Sequence, residues 1–425
     1  MDKIKSIVLN KKYQITFIIL IAFVLRLFLS ISSFTYESYS SWKDAALYLK
    51  IGEAMAGGDL YPDASGLGYM HTAPLYPMII ALCIKIFGTA IFPMFVLNSL
   101  IGALFVWLVY KIGDSLFSHN AGLFVATWGA LNYNMMRNGF STLKEPFIFF
   151  LIAAMVLTLI KIWKDKRSWF NVVWHSVLSV ALIHIDERYI YYLPFFAFIL
   201  IAASLKGRKI KHLALYSLLS IALMIPWTVS ISKHFEQFVL LTPRVNSSLQ
   251  KILGEEILPT PKLIVEARAE RGLGELDEFA ATSLEHRTLA TEDGKEIVWD
   301  DSVRWYIRSF FEHLRPTYFI GTNVYTVDGW GHRKWSLYHN VNAILFYGIF
   351  LPFYLIGLLF SLLKKEYVWF LLLLLPIIHG VMHAIVPLPL ERYRMAFDFV
   401  VVIGAFYAVE SKFVFTLLFG TQHKL

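Results

Sequence analysis

The sequence predicts an all-α polytopic membrane protein. Two features of composition carry that assignment: 57% of the 425 residues are hydrophobic and only 16% are charged, whereas soluble domains carry about a quarter charged. A third is pattern. Apolar runs of about twenty residues, the length a helix needs to cross a bilayer, recur along most of the chain. An ordinary soluble enzyme and a disordered chain are both excluded. The single cysteine, Cys83, rules out an intramolecular disulfide and a thiolate zinc cluster.

The first element follows a basic N-terminus with Lys3, Lys5, Lys11 and Lys12. The apolar run 13–31 that comes next is interrupted by Arg26 and lacks a small-residue cleavage site, so it reads as an uncleaved span. Further spans are expected at 91–111, 119–136, 146–163, 169–185, 189–205, 212–231, 339–362, 367–386 and 394–411, about ten in all. The segment 74–87 is apolar but short and contains Lys85, which fits a re-entrant or interfacial helix. If that segment does not cross, the basic loops at 161–167, 206–211 and 364–365 share a side with the N-terminus. The positive-inside rule therefore places both termini in the cytoplasm.

Charge supports the same topology. Residues 233–338 hold 13 of the 39 Lys and Arg but 16 of the 31 Asp and Glu, so this long segment is acidic and expected outside. The net charge of +8 then reflects topology and not a nucleic-acid footprint. Three regions result: an N-terminal transmembrane module over 1–231 with an external first loop at 32–90, a small external cap over 232–338, and C-terminal transmembrane helices over 339–425.

Ionisable groups are costly near lipid, so those at span ends mark candidate chemistry. Asp44 and Tyr48 stand four apart and share a helix face, whereas Glu53 points away. Asp44 is either a solvated charge on an interfacial helix or a carboxylate held as a general base. His71 opens the short helix, as a turn residue or as a donor to a phosphate oxygen. Arg137, Lys144 and Glu145 lie between two spans. Glu145 precedes Pro146 and either complements a helix dipole or lines a polar site. The run Asp186-Glu187-Arg188 suggests an internal ion pair flanked by interfacial tyrosines. Arg392, Tyr393 and Arg394 open the last span, where guanidinium groups either snorkel to headgroups or grip a phosphate. His379 and His383 have a chelating spacing but lack a third ligand.

Several of these residues fall in a recognisable order. Arg26-Leu27-Phe28, Asp44 with Tyr48, Gly58-Asp59-Leu60-Tyr61-Pro62, Pro74-Leu75-Tyr76, Lys85-Ile86-Phe87-Gly88, Thr142-Leu143-Lys144-Glu145-Pro146 and Glu391-Arg392-Tyr393-Arg394 follow one another. That order resembles the GT-C superfamily of membrane glycosyltransferases, in particular the branch of the protein O-mannosyltransferases and the bacterial aminoarabinose lipid A transferase. Where those proteins commonly have Asp-Glu and Lys-Pro-Pro, this chain has Asp44-Ala45 and Thr72-Ala73-Pro74.

The resemblance implies a GT-C-like fold and transfer of a sugar from a polyprenyl-phosphate donor to a glycan, lipid or protein acceptor on the outer face, with inversion. Asp44 would then be the base and Glu145 would orient the acceptor or the cations. His71, Arg137, Lys144, Arg392 and Arg394 would hold the donor phosphate, with Tyr48, Tyr393 and Arg188 in support. No cofactor is implied as necessary, and a divalent metal is left open. The alternatives are a membrane transporter, which would place polar sites near the midplane, and a lipid-linked glycan polymerase or ligase.

Overall fold

The computed structural model describes residues 11–33, 43–62, 72–132, 135–136, 142–164, 168–204, 208–243, 245, 341, 345–385 and 395–410. Among the described residues the regular structure is entirely helical. In chain order the helices are α1 (Lys11–Ser33), α2 (Lys43–Ala56), α3 (Leu75–Phe87), α4 (Ile91–Leu116), α5 (His119–Leu131), α6 (Glu145–Trp163) and α7 (Ser168–Ile185). A 3₁₀ turn at Glu187–Tyr192 leads into α8 (Leu193–Ala203) and then α9 (Lys209–His234). A π turn at Phe346–Phe350 runs into α10 (Leu351–Leu363), followed by α11 (Tyr367–Ile385). A 3₁₀ turn at Met395–Phe397 opens α12 (Asp398–Glu410).

Each expected span overlaps a described helix, and among the described residues six helices, against the ten or so spans expected, are long and apolar enough to cross a membrane. The others are shorter for local reasons. Asn132 ends α5 with extended backbone, and its side chain accepts a hydrogen bond from the amide of Met135. The expected span from 189 begins as the 3₁₀ turn and becomes α-helical only at Leu193, followed by Pro194, which suits a helix start. The segment at 75–87 is a thirteen-residue helix closed by Gly88 in the left-handed conformation, too short to cross unaided.

α6 is the central helix. It buries 72% of its apolar window inside the protein, against 28% for α1 and α9 at the periphery. It packs on α4 and α7, while α1 and α5 lie against α4, and α10, α11 and α12 pack together. The exposed face of α1, with Phe17, Leu20, Val24 and Phe28, is the face that lipid would solvate.

The end of α9 anchors the chain that follows it. The indole N–H of Trp227 donates to Leu241 O at 2.8 Å, and the Thr228 hydroxyl donates to Leu240 O at 2.7 Å. Tyr61 stacks on His234 at 4.4 Å between ring centroids, which ties the end of the 58–62 segment to the base of the long loop. That segment turns at Gly58, whose φ of +107° only glycine adopts readily. The cap expected over 232–338 lies outside the described residues beyond 245.

Candidate active site

Asp44 sits in the first turn of α2, where a carboxylate complements the positive helix end, and it is half-buried. One turn on, Tyr48 is buried and stands edge-on to Tyr76 of α3, with ring centroids 5.5 Å apart. Glu53 is exposed on another face, as its spacing requires.

The segment Thr142–Glu145 is clamped from three sides. The Thr142 hydroxyl donates to Ala45 O at 3.3 Å, the residue after Asp44. Leu143 O accepts from the Tyr76 hydroxyl at 2.8 Å and from Asn98 Nδ2 of α4 at 3.4 Å. Lys144 is thereby turned inward: its ammonium lies 3.3 Å from Asp186 Oδ2 and 5.4 Å from the centroid of the Tyr48 ring. Glu145 is the first residue of α6 and is buried, with Pro146 behind it.

Asp186 is the hub of the third segment. Where α7 ends, its carboxylate accepts from the Arg188 amide at 3.1 Å and so starts the 3₁₀ turn. The Arg188 side chain closes on the same carboxylate through two nitrogens, Nε at 2.8 Å from Oδ1 and Nη2 against Oδ2. Glu187 Oε2 accepts from the Ala73 amide at 3.2 Å, which fixes the lead-in to α3. Burial works against ionisation of Asp186, but Arg188 and Lys144 hold its carboxyl well below the usual carboxylate range. Burial also works against the charge on Lys144, yet Asp186, with Tyr48 and Glu187, outweighs it and raises the lysine above its ordinary value.

A fourth segment joins through aromatic contacts. The Tyr192 hydroxyl lies 2.7 Å from His379 Nδ1 of α11, and His379 lies 4.7 Å, ring to ring, from Phe397. Phe397 belongs to the turn that packs on α6.

Five sequence-predicted residues, Asp44, Tyr48, Lys144, Glu145 and Arg188, therefore belong to segments that meet at one end of the bundle. His71, Arg137, Arg392, Tyr393 and Arg394 lie outside the described residues. Their chain neighbours Thr72, Met136 and Met395 are buried. Sequence reasoning missed the bridging role of Asp186. The acidic run between two apolar spans was the only signal, and it pointed to Arg188 but not to Lys144. Among the described residues no three His, Cys, Asp or Glu side chains are grouped as a metal ion would need.

Residues 71–230 match the family model described as dolichyl-phosphate-mannose-protein mannosyltransferase. The match takes in the Thr142–Glu145 segment and the Asp186 turn but begins after Asp44. No curated protein sequence matches the chain. In fold, the chain is similar to the archaeal oligosaccharyltransferase AglB from Archaeoglobus fulgidus, solved with an inhibitory peptide and a dolichol-phosphate. The TM-score is 0.56 at 14% identity, over 98% of this chain and 53% of that one. The apo form of the Archaeoglobus fulgidus oligosaccharyltransferase gives a TM-score of 0.52 at 16% identity, over 97% of this chain and 53% of that one. The chain thus spans about half the length of these proteins, and the likeness defines the fold. The family match covers less than half of the chain.

Proposed function

We propose that this protein transfers a sugar from a polyprenyl-phosphate donor to an acceptor hydroxyl on the external face of the membrane, with inversion at the anomeric carbon. Both termini then lie in the cytoplasm, and the long loop at 232–338 covers the outer mouth. The observation that carries this reading is the contact between the first turn of α2 and the Thr142–Glu145 segment, with Thr142 donating to Ala45 beside Asp44. It sets a half-buried carboxylate beside a segment bearing a buried cation.

The chemistry follows from what each group can hold. The donor phosphate leaves as an anion, so departure needs cations more than a strong acid. Well-placed donors to developing charge are worth roughly 3–4 kcal/mol each. Lys144 is the cation for that charge, joined by His71, Arg137, Arg392 and Arg394. Asp44 takes the acceptor proton as the bond to the anomeric carbon forms, and Glu145 orients the acceptor or the cations. Tyr48, Tyr393 and Arg188 support the ligands. The acceptor is a glycan, a lipid or a protein. Turnover with and without a chelator measures whether a divalent ion takes part.

A panel of radiolabelled polyprenyl-phosphate sugars, presented to purified protein in detergent, tests the reading. Sugar-dependent release of polyprenyl phosphate with inverted product supports it. A panel in which no carrier is bound overturns it.

A further inference from the structure

We infer that Asp186 is a positioning residue, which keeps the Lys144 ammonium charged and the Arg188 guanidinium aimed so that the donor phosphate meets a fixed cation pair. The inference rests on the proposed transferase reading. Its basis is geometric. One fully buried carboxylate takes two bonds from the Arg188 side chain and lies 3.3 Å from Lys144 Nζ. Lys144 and Arg188, 44 positions apart in the chain, are therefore held by a third residue that no acceptor or donor needs to touch.

The arrangement solves a definite problem. A buried lysine tends to lose its proton, because the charged form is the one that desolvation penalises. The groups whose charge acts on Lys144 are Tyr48 from α2 and Asp186, Glu187 and Arg188 from the turn after α7. Of these, Arg188 opposes the lysine charge, and Asp186 is the strongest of those that favour it. An ammonium has three donors, and Asp186 engages one side of it. The remaining N–H groups meet a phosphate oxygen with a full positive charge only while the lysine is protonated, and such charge-assisted bonds are about twice as strong as neutral ones.

The test compares wild type, Asp186→Asn and Asp186→Glu, each checked for folding by size exclusion in detergent. The first readout is competitive acetylation of Lys144 between about pH 7 and pH 9, followed by peptide mass spectrometry. It needs no substrate. In wild type Lys144 stays unreactive over this range; in Asp186→Asn it becomes reactive as pH rises. The second is affinity for a short polyprenyl monophosphate over the same range, above the phosphate's own ionisation at about 6. Wild type binds with flat pH dependence, whereas Asp186→Asn weakens by about tenfold from the low to the high end, as the lysine loses its proton. Asp186→Glu keeps the charge, so Lys144 stays unreactive and binding stays flat with pH, even where the longer side chain weakens it uniformly.

An acetylation profile unchanged in Asp186→Asn overturns the inference. If that variant does not fold, pH-dependent reactivity of Lys144 in Asp186→Glu overturns it instead. Wild type that binds no polyprenyl phosphate defeats the transferase reading, while the acetylation result still decides the role of Asp186.

Discussion

Two buried cation sites in this molecule have opposite characters. Arg26, two-thirds of the way along α1, sends Nη2 to Gly129 O at 2.8 Å and Nη1 to Ala130 O and Ala22 O at 3.2 Å each. It meets carbonyl groups at the C-terminal end of α5, where the helix dipole leaves negative character and unfilled acceptors. Lys144 and Arg188 instead share a buried carboxylate at a junction of helix starts and turns. The first arrangement ties one helix to another. The second holds charge between segments that also carry Asp44 and Glu145. A charge inside a membrane protein marks function only when its partners are themselves gathered for chemistry; Arg26 is explained by helix packing.

That contrast can be broken in order of expected effect. Asp44→Asn removes the proposed base and is expected to lower turnover by about 10²–10⁴-fold. Folding should stay intact, because α2 retains its other contacts; initial rates on equal amounts of monodisperse protein measure it. Arg26→Met strands the carbonyls of Gly129 and Ala130 and is expected to destabilise the protein by about 1–3 kcal/mol. Thermal unfolding in detergent should shift down, while turnover per folded molecule remains close to wild type.

Gly102→Ala presses on the same arginine from α4, since an added Cβ would sit 2.7 Å from Arg26 Cδ and Nε. Those atoms are held by the guanidinium bonds, so a cost of about 1–3 kcal/mol is expected from overpacking, read by the same thermal shift. Thr142→Val has the smallest effect. It loses one hydrogen bond to Ala45, about 1 kcal/mol, and should lower kcat a few-fold through a shifted Asp44 turn. A double variant with Gly102→Ala should be additive if the two sites are independent.

The sequence made the helices legible because apolar length is a local property: a described helix overlaps each run expected to span, and the shortness of α3 was visible in the fourteen-residue apolar run 74–87. Ends were less legible. Asn132 and Asp186 stop or start helices through side-chain bonds to backbone amides, which compete with the helix where hydropathy alone sees continuation. Within the site, a pair between Arg188 and one of the two carboxylates before it was readable because the charges adjoin in sequence. The Lys144–Asp186 pair was not, since it depends on how α6 packs against α7. Arg26 was visible as an intramembrane charge, but the carbonyls it reaches on α5 lie more than a hundred residues away and carry no residue-type signature.

The most direct measurement sets Asp44→Asn beside Arg26→Met in one assay, with polyprenyl-phosphate release counted per folded molecule. Turnover is expected to collapse in the first variant and persist in the second, with the stability loss confined to Arg26→Met. Turnover retained in Asp44→Asn and abolished in well-folded Arg26→Met would contradict it, placing the chemistry at the arginine and leaving Asp44 as a helix-end charge.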